Sequence, residues 1–192
     1  MAETSRWITN RTRHRLHGLR SQPALTWPEL VQRATQARPD QIGVDVFDTV
    51  LMRRVTSDHS AAAVVAHRLA ASGVWPASPE EYQRARDLAW QLEPDGSLAE
   101  WLSSEPFIGL VDPSSVLRAE LDIEASLIEA VPGAPEALEQ LRGLCPVTFV
   151  SDMYLSRDMV HTFLDAEGLI GPEDRLVISC EARASKSTGT LY

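Results

Sequence analysis

Three polar residues could do chemistry in this chain, and each lies within or soon after a short apolar run. Asp45 interrupts the run IGVDVFDTVL, Ser151 follows the run VTFV, and Lys186 follows the run RLVISC. A carboxylate can attack an electrophile as a nucleophile. A hydroxyl can donate a hydrogen bond to a phosphoryl oxygen, and an ammonium group can keep a carboxylate ionised beside an anion. Together the three residues predict a centre that handles an anionic substrate.

Lys186 is the only lysine of the chain, and the other 17 of its 18 basic residues are arginines. Arginine serves well in surface salt bridges, whereas lysine offers a compact, strongly hydrated charge on a flexible stem. The pattern indicates that this position requires a lysine. Codon bias with one chance exception is the alternative explanation.

The elements that must position these residues alternate along the chain. The apolar runs Ile42–Leu51, Pro146–Val150 and Arg175–Cys180 are typical of strands buried on both faces. Helical patterns separate them, which predicts an α/β fold with right-handed crossovers and a parallel sheet. Ligands bind outside the carboxyl ends of such strands. We therefore expect all three polar residues at one edge of the sheet.

Local signals mark where several helices begin. Thr26-Trp27-Pro28-Glu29 and Ser78-Pro79-Glu80-Glu81 both fit a capping box, with Glu three residues after the capping hydroxyl. Asp112-Pro113 opens a long helix that we expect to run to about Ala130. The organisation has three parts: an Arg-rich leader and helix at 1–39, an α/β core at 40–51 and 131–192, and a helical insertion at 52–130.

Composition excludes some classes of function. The net charge is −9; residues 1–40 carry +4, and the rest carries eleven basic against twenty-four acidic residues. An acidic body argues against nucleic acid as the partner. No apolar run approaches the ~18 residues of a membrane span, and the N-terminus lacks a signal-peptide pattern. We therefore expect a cytoplasmic protein whose two cysteines, Cys145 and Cys180, are free thiols.

Three motifs carry a family resemblance. IGVDVFDTVLMRR, FVSDMYLS and SKSTGTLY resemble motifs one, two and three of the haloacid dehalogenase (HAD) superfamily, and most of all the branch that reads FDVFDTLL and SDMYL. The similarity covers about residues 40–192. It implies a Rossmannoid parallel sheet with a helical cap of the C1 type inserted after strand one, at 52–130. It also implies hydrolysis of phosphate monoesters of small metabolites.

The resemblance implies a role for each matching catalytic residue. Asp45 matches the nucleophile that forms an aspartyl intermediate. Ser151 matches the hydroxyl residue of motif two, and Lys186 matches the lysine of motif three.

Three neighbouring residues are expected to contact the substrate. Thr49 matches the threonine that follows the nucleophile in the family. Asp152 and Tyr154 belong to the motif SDMYL, where Tyr154 would line the entrance of the pocket. Capping of the following turn is the alternative role for Asp152.

Motif one departs from the family where phosphatases carry a second Asp as general acid and base, because Phe47 stands there. Asp48 is a possible acid or base, although a regular strand would point it away from Asp45; capping of a helix or loop is its alternative role. The resemblance implies Mg²⁺ as cofactor. Asp45 and the backbone carbonyl of Phe47 are its expected ligands.

The acidic fourth motif of the family is not found before Tyr192. We therefore expect the core sheet to be incomplete, with strand one as an apolar edge that a partner or a further C-terminal segment would cover. Two alternative functions remain open. One is a non-catalytic binding module, associated with glycosyltransferases as other members of this branch are. The other is a metal-independent dehalogenase, because dehalogenases of the superfamily carry an aromatic residue at the position of Phe47.

Overall fold

The computed structural model describes residues 25–55, 58–184, 186 and 191, with the side chains of 58–60 left aside. The predicted leader at 1–24 lies outside the described residues. The described part forms these helices and strands, in chain order: α1 Trp27–Ala37, β1 Ile42–Asp45, β2 Leu51–Arg53, α2 Asp58–Ala71, α3 Pro79–Leu92, α4 Leu98–Leu102, α5 Pro113–Leu127, β3 Ile128–Ala130, α6 Ala134–Arg142, β4 Val147–Ser151, α7 Arg157–Ala166, β5 Arg175–Ile178 and α8 Ser179–Ala182.

A three-stranded parallel sheet with the order β1-β4-β5 confirms the predicted α/β class. All five residues of β4, the middle strand, are buried. β1 runs parallel to β4 in a register that pairs Ile42 with Val147 and Asp45 with Val150. The residues of β1 and β4 thus form buried parallel strands, as expected for strands covered on both faces, whereas only two of the four residues of β5 are buried.

The predicted capping boxes are present at the starts of two helices. At α3, the Glu81 amide donates to the Ser78 hydroxyl at 3.2 Å, and the Ser78 amide donates to the Glu81 carboxylate at 2.9 Å. At α1, the Thr26 amide donates to Glu29 Oε2 at 2.8 Å. These bonds satisfy amides that the first helical turn leaves without a partner, which explains why the two helices begin where the sequence predicts.

The prediction of one strand over Ile42–Leu51 was wrong. The first strand ends at Asp45, a tight turn follows, and the separate short strand β2 begins at Leu51. The turn forms because the Val46 carbonyl accepts the amides of Thr49, Val50 and Leu51 at 2.9–3.3 Å.

Two other boundaries also differ from the prediction. α5 ends at Leu127 and not at Ala130, because Ile128–Ala130 form β3, which pairs with β2. The last strand ends at Ile178, so Cys180 lies in α8 and not in a strand. Strands as short as β2 and β3 contain too few residues to show a period of two, and the helical pattern around them masks them.

The described residues belong to two compact units. Within the described residues, the first takes in 25–52, 129–151 and 164–177, and the second takes in 53–55, 58–128, 152–163, 178–184, 186 and 191. The first unit holds most of the parallel sheet and the helices α1 and α6. The second is mainly helical and packs around Trp75, Tyr82 and Phe107, whose rings meet edge to face at 5.3–5.9 Å.

The two cysteines are free thiols, as predicted. Cys180 is buried, and burial raises the pKa of its thiol to about 11. Cys145 is half-buried, and burial raises the pKa of its thiol as well. Neither thiol is favoured as a nucleophile at neutral pH, because the thiolate is the reactive form. Among the described helices, none has the length and apolar character needed to cross a membrane.

Candidate functional site

The sheet brings Asp45 and Ser151 to the same edge. Asp45 is the last residue of β1 and pairs with Val150, and Ser151 is the last residue of β4. Neighbouring strands lie about 4.8 Å apart, so the two residues end adjacent parallel strands, at the edge where α/β proteins bind ligands. Ser151 is 1% exposed, and Asp45 is half-buried. The strand pairing that places Asp45 and Ser151 side by side lies within the first unit.

A hydrogen bond orients the carboxylate of Asp45. Its Oδ1 accepts the backbone amide of Val46 at 2.8 Å. An amide that donates to a carboxylate favours a fixed rotamer of the side chain and offers a dipole to its negative charge. Asp45 thus stands at the strand end with one oxygen aligned by the backbone.

Asp48 lies in the turn that follows Asp45 and not in a strand. Asp48 has a φ of +58° and is exposed, and its amide donates to the Leu51 carbonyl at 2.8 Å. The expectation that Asp48 points away from Asp45 assumed a regular strand, and the turn removes that assumption. Thr49, in the same turn, is 4% exposed. Asp48 therefore stays a candidate acid, and Thr49 is a buried part of the turn.

Asp152 and Lys186 are brought together within the second unit. The Lys186 amide donates to Asp152 Oδ2 at 3.3 Å. Lys186 is half-buried, and Asp152 is exposed. The residue that follows Ser151 in the chain is thus bonded to the backbone of the only lysine. This bond links the segments that carry the second and third motifs.

Tyr154 lies in an aromatic and cationic environment. Its ring lies 5.3 Å from the ring of Trp101, and the guanidinium of Arg86 lies 4.7 Å from its centroid. Its carbonyl accepts the Leu98 amide at 2.8 Å. Burial raises the pKa of the Tyr154 hydroxyl, so the hydroxyl is a neutral donor at neutral pH.

A buried ionic network in the second unit was missed by the sequence analysis. Glu120 and Glu124 of α5 are 1% and 2% exposed, and they pair with Arg86 and Arg53 respectively. The Tyr82 hydroxyl also donates to Glu120. The available signal was the spacing, because Val116, Glu120 and Glu124 follow at intervals of four and so share one helix face.

The donor set around Asp45 suits a metal ion only in part. Within the described ranges, no group of three or more His, Cys, Asp or Glu side chains could hold a metal ion. Mg²⁺ is commonly bound through one or two carboxylates, with waters and substrate phosphate completing the octahedron. The two expected ligands, the Asp45 carboxylate and the Phe47 carbonyl, would leave the rest of the coordination sphere to waters and substrate phosphate, so they do not form an all-protein cage.

No protein-family model matches the chain, and no curated protein matches it significantly.

Proposed function

We propose that this chain is an HAD-like hydrolase that acts through Asp45 on phosphate monoesters of small metabolites. The observation that carries the proposal is the parallel pairing of β1 with β4, which ends the two strands at Asp45 and Ser151. A nucleophile and a hydrogen-bond donor on adjacent strand ends suit a tetrahedral anion.

The proposed reaction has two steps. A carboxylate oxygen of Asp45 attacks phosphorus, the bond from phosphorus to the ester oxygen breaks, and an aspartyl-phosphate forms. Water then attacks the aspartyl-phosphate, releases inorganic phosphate and regenerates the carboxylate. Ser151 donates a hydrogen bond to a phosphoryl oxygen, and the Lys186 ammonium offsets the repulsion between Asp45 and the phosphate. Thr49, Asp152 and Tyr154 remain proposed substrate contacts.

The leaving alkoxide needs a proton, and Phe47 cannot supply one. Asp48 is the proposed acid, because it lies in the turn directly after Phe47 and is exposed. Protonation by water is the slower route, and the absence of a positioned acid costs about 10²–10⁴-fold in rate. We therefore propose a phosphatase in which Asp48 replaces the missing acid only in part, so that turnover is slow.

Mg²⁺ is the proposed cofactor, held by the Asp45 carboxylate and the Phe47 carbonyl. When bound, it would neutralise charge on the phosphate. The residues 52–130 are the proposed cap, and they provide most of the mainly helical second unit. A cap would exclude water from the site, which strengthens the electrostatic interactions there.

The experiment is hydrolysis of p-nitrophenyl phosphate with Mg²⁺ and with a chelator. We expect slow turnover that needs Mg²⁺ and is lost in Asp45→Asn. The matched control is Asp40→Asn, which removes an exposed carboxylate just before β1, at the opposite end of the strand. Turnover that survives in Asp45→Asn, or that is lost equally in Asp40→Asn, refutes the role of Asp45.

Phe47 specifically favours a second candidate, a non-catalytic binding module, because an aromatic ring removes the acid that phosphatase chemistry uses. Tungstate binding by calorimetry that depends on Asp45 and Ser151, without turnover, would support the module. A glycosyltransferase-associated role belongs to this alternative. If the protein releases halide from a haloacid even in the presence of a metal chelator, the result would instead support the dehalogenase hypothesis.

We also propose that an additional strand completes the parallel sheet. β1 lies at one edge of the described sheet, in the order β1-β4-β5. Its first three residues are buried, so the strand has the apolar character of an interior strand. An additional strand from a partner or from a further segment would pair with its outer edge.

A further inference from the structure

The segments that follow β4 and β5 are joined by a series of hydrogen bonds within the second unit. We call residues 152–157 the first motif segment, and residues 179–184 together with Lys186 the second motif segment. Asp152 accepts the Lys186 amide at 3.3 Å, and the Met153 amide donates to the Ser179 hydroxyl at 2.8 Å. The amide of Arg157 also donates to Glu181 at 2.6 Å. The segment carrying Asp152 and the segment carrying Lys186 therefore behave as one joined structure.

The hairpin formed by α3 and α4, residues 79–102, holds the first motif segment. The Leu98 amide donates to the Tyr154 carbonyl at 2.8 Å. The Tyr154 ring packs on Trp101, and Arg86 lies over both rings, 4.7 Å from one centroid and 5.3 Å from the other. Arg86 is itself fixed by Glu120. These contacts fix Tyr154 on three sides.

The same hairpin holds the second motif segment through Arg183. Its Nη1 donates to Glu93 Oε1 at 3.2 Å and to the Asp95 carbonyl at 3.0 Å, and its Nη2 bonds to Glu100. The three acceptors lie at the end of α3, in the turn and in α4. A planar guanidinium that bonds several acceptors at once fixes direction as well as distance.

We propose that Tyr154 and Arg183 are positioning residues through which the hairpin sets the location of Asp152 and Lys186. This rests on the proposed function in one respect, the assignment of Lys186 to the site. It adds that the inserted helices act on the chemistry through these two attachments. Arg183 is the informative attachment, because its side chain is 48% exposed and surface ion pairs contribute little to stability. Its removal should displace Lys186 without unfolding the unit.

Because Lys186 is the only lysine, a change in its surroundings can be measured by NMR without an activity assay. Reductive methylation with ¹³C-formaldehyde gives one lysine signal beside that of the terminal amine. We expect the chemical shift of the dimethyl-Lys186 signal in the folded wild type to be separated from its chemical shift in urea. Arg183→Gln and Glu100→Gln should each remove most of that separation. Gln at position 100 retains the capping box with Ser97, so only the ion pair is lost.

The matched control is Arg84→Gln, which removes an exposed arginine from α3. It should leave the lysine signal where the wild type has it, and circular dichroism checks that every variant is folded. The proposal is overturned if the signal of Arg183→Gln coincides with that of the wild type. It is also overturned if the folded wild type shows the signal position found in urea.

A kinetic measurement separates positioning from a purely structural role. In Arg183→Gln we expect kcat to fall about tenfold, since misplacement of a group by a fraction of an ångström costs rate, while KM changes by less than about twofold. In a Lys186→Met background the same substitution should cost nothing further. Equal losses in both backgrounds would contradict the proposal. Absence of turnover in the wild type would count against the proposed function alone, because the lysine signal still decides the positioning role.

Discussion

Phe47 is the residue that most limits the chemistry at the residue scale. It lies two positions after Asp45 and is half-buried. Between Asp45 and the turn at Asp48, the chain places an aromatic ring where the proposed reaction would use an acid. The neighbouring Val46 amide already bonds to Asp45, so the backbone orients this proposed nucleophile independently of the side chain at 47.

We expect Phe47→Asp to raise the turnover of an alkyl phosphate such as glycerol 2-phosphate, measured as released inorganic phosphate, because its alkoxide leaving group needs a proton. A carboxylic acid at this position could protonate the leaving oxygen, and a positioned acid contributes about 10²–10⁴-fold. Steady-state kinetics at several pH values measure the gain. Phe47→Asn is the control, because it has a similar size to Asp and cannot act as an acid. An equal rate in the two variants would show that position 47 does not face the leaving group.

At the scale of elements, the sequence predicted the features that depend on neighbouring residues. The start of α3 followed from Ser78, Pro79 and Glu81, which form their bonds within one turn. The strands β1 and β4 followed from short, largely apolar runs. The short strands β2 and β3 could not be predicted, because their pairing depends on residues far apart in the chain.

The orientation of α5 is a second feature that the sequence pattern could not predict. Carboxylates count as surface residues in any apolar pattern, so such a pattern gives no sign that Glu120 and Glu124 are buried. Their burial depends on Arg86 and Arg53, which come from other parts of the chain. A sequence pattern cannot show that a charge has a partner, and a partner is what permits burial of a charge.

We expect Arg86→Met to lower the free energy of unfolding by about 3–5 kcal/mol. The side chains of Arg86 and Glu120 are 16% and 2% exposed, so the substitution leaves a buried carboxylate without its cation. Urea denaturation followed by circular dichroism measures the loss. Arg84→Met, on the exposed side of the same helix, should stay within about 0.5 kcal/mol of the wild type.

A second substitution tests the physical reason for that loss. Arg86→Met combined with Glu120→Gln should recover part of the lost stability, because the neutral amide is cheaper to bury than the carboxylate. If the double variant is as unstable as the sum of the two single variants, the ion pair is not the cause of the loss.

At the scale of the whole molecule, the placement of some candidate-site residues followed from the sequence and that of others did not. The parallel sheet put Asp45 and Ser151 on one edge as expected, because strand order and direction decide which residues end together. Lys186 belongs to the second unit, and the segment that carries it shows no periodic signal in the sequence. The joint action of the three residues stays a prediction.

Capping carboxylates make the stability of the protein depend on pH. A hydrogen bond from the N-cap backbone amide lowers the pKa of Glu29, Glu81 and Glu100 from the ordinary value of 4.5. A hydrogen bond from the Ser115 hydroxyl lowers the pKa of Asp112 from 3.8. These groups bind protons less readily in the folded state, so their contribution is present above the unfolded pKa and is lost as pH falls through the folded pKa.

We therefore expect the melting temperature to hold down to about pH 5 and to fall as the pH is lowered below 4.5. Thermal melts followed by circular dichroism between neutral pH and pH 3 measure this. Glu81→Gln and Glu100→Gln keep the caps without the charge, so their combination should flatten the acid slope. A melting temperature that rises on acidification would contradict the assignment.

The pairing of β1 with β4 also has a consequence for biosynthesis. Gln41 and Thr148, whose side chains bond beside this pairing, are 107 residues apart. At about 5–20 residues per second, a ribosome needs roughly 5–20 s to add that length of chain. During this interval the nascent β1 has no β4 to pair with, and its apolar residues are exposed to chaperones and to neighbouring chains. The inserted helices thus delay assembly of the sheet, and the yield of native protein in a cell should depend on elongation speed.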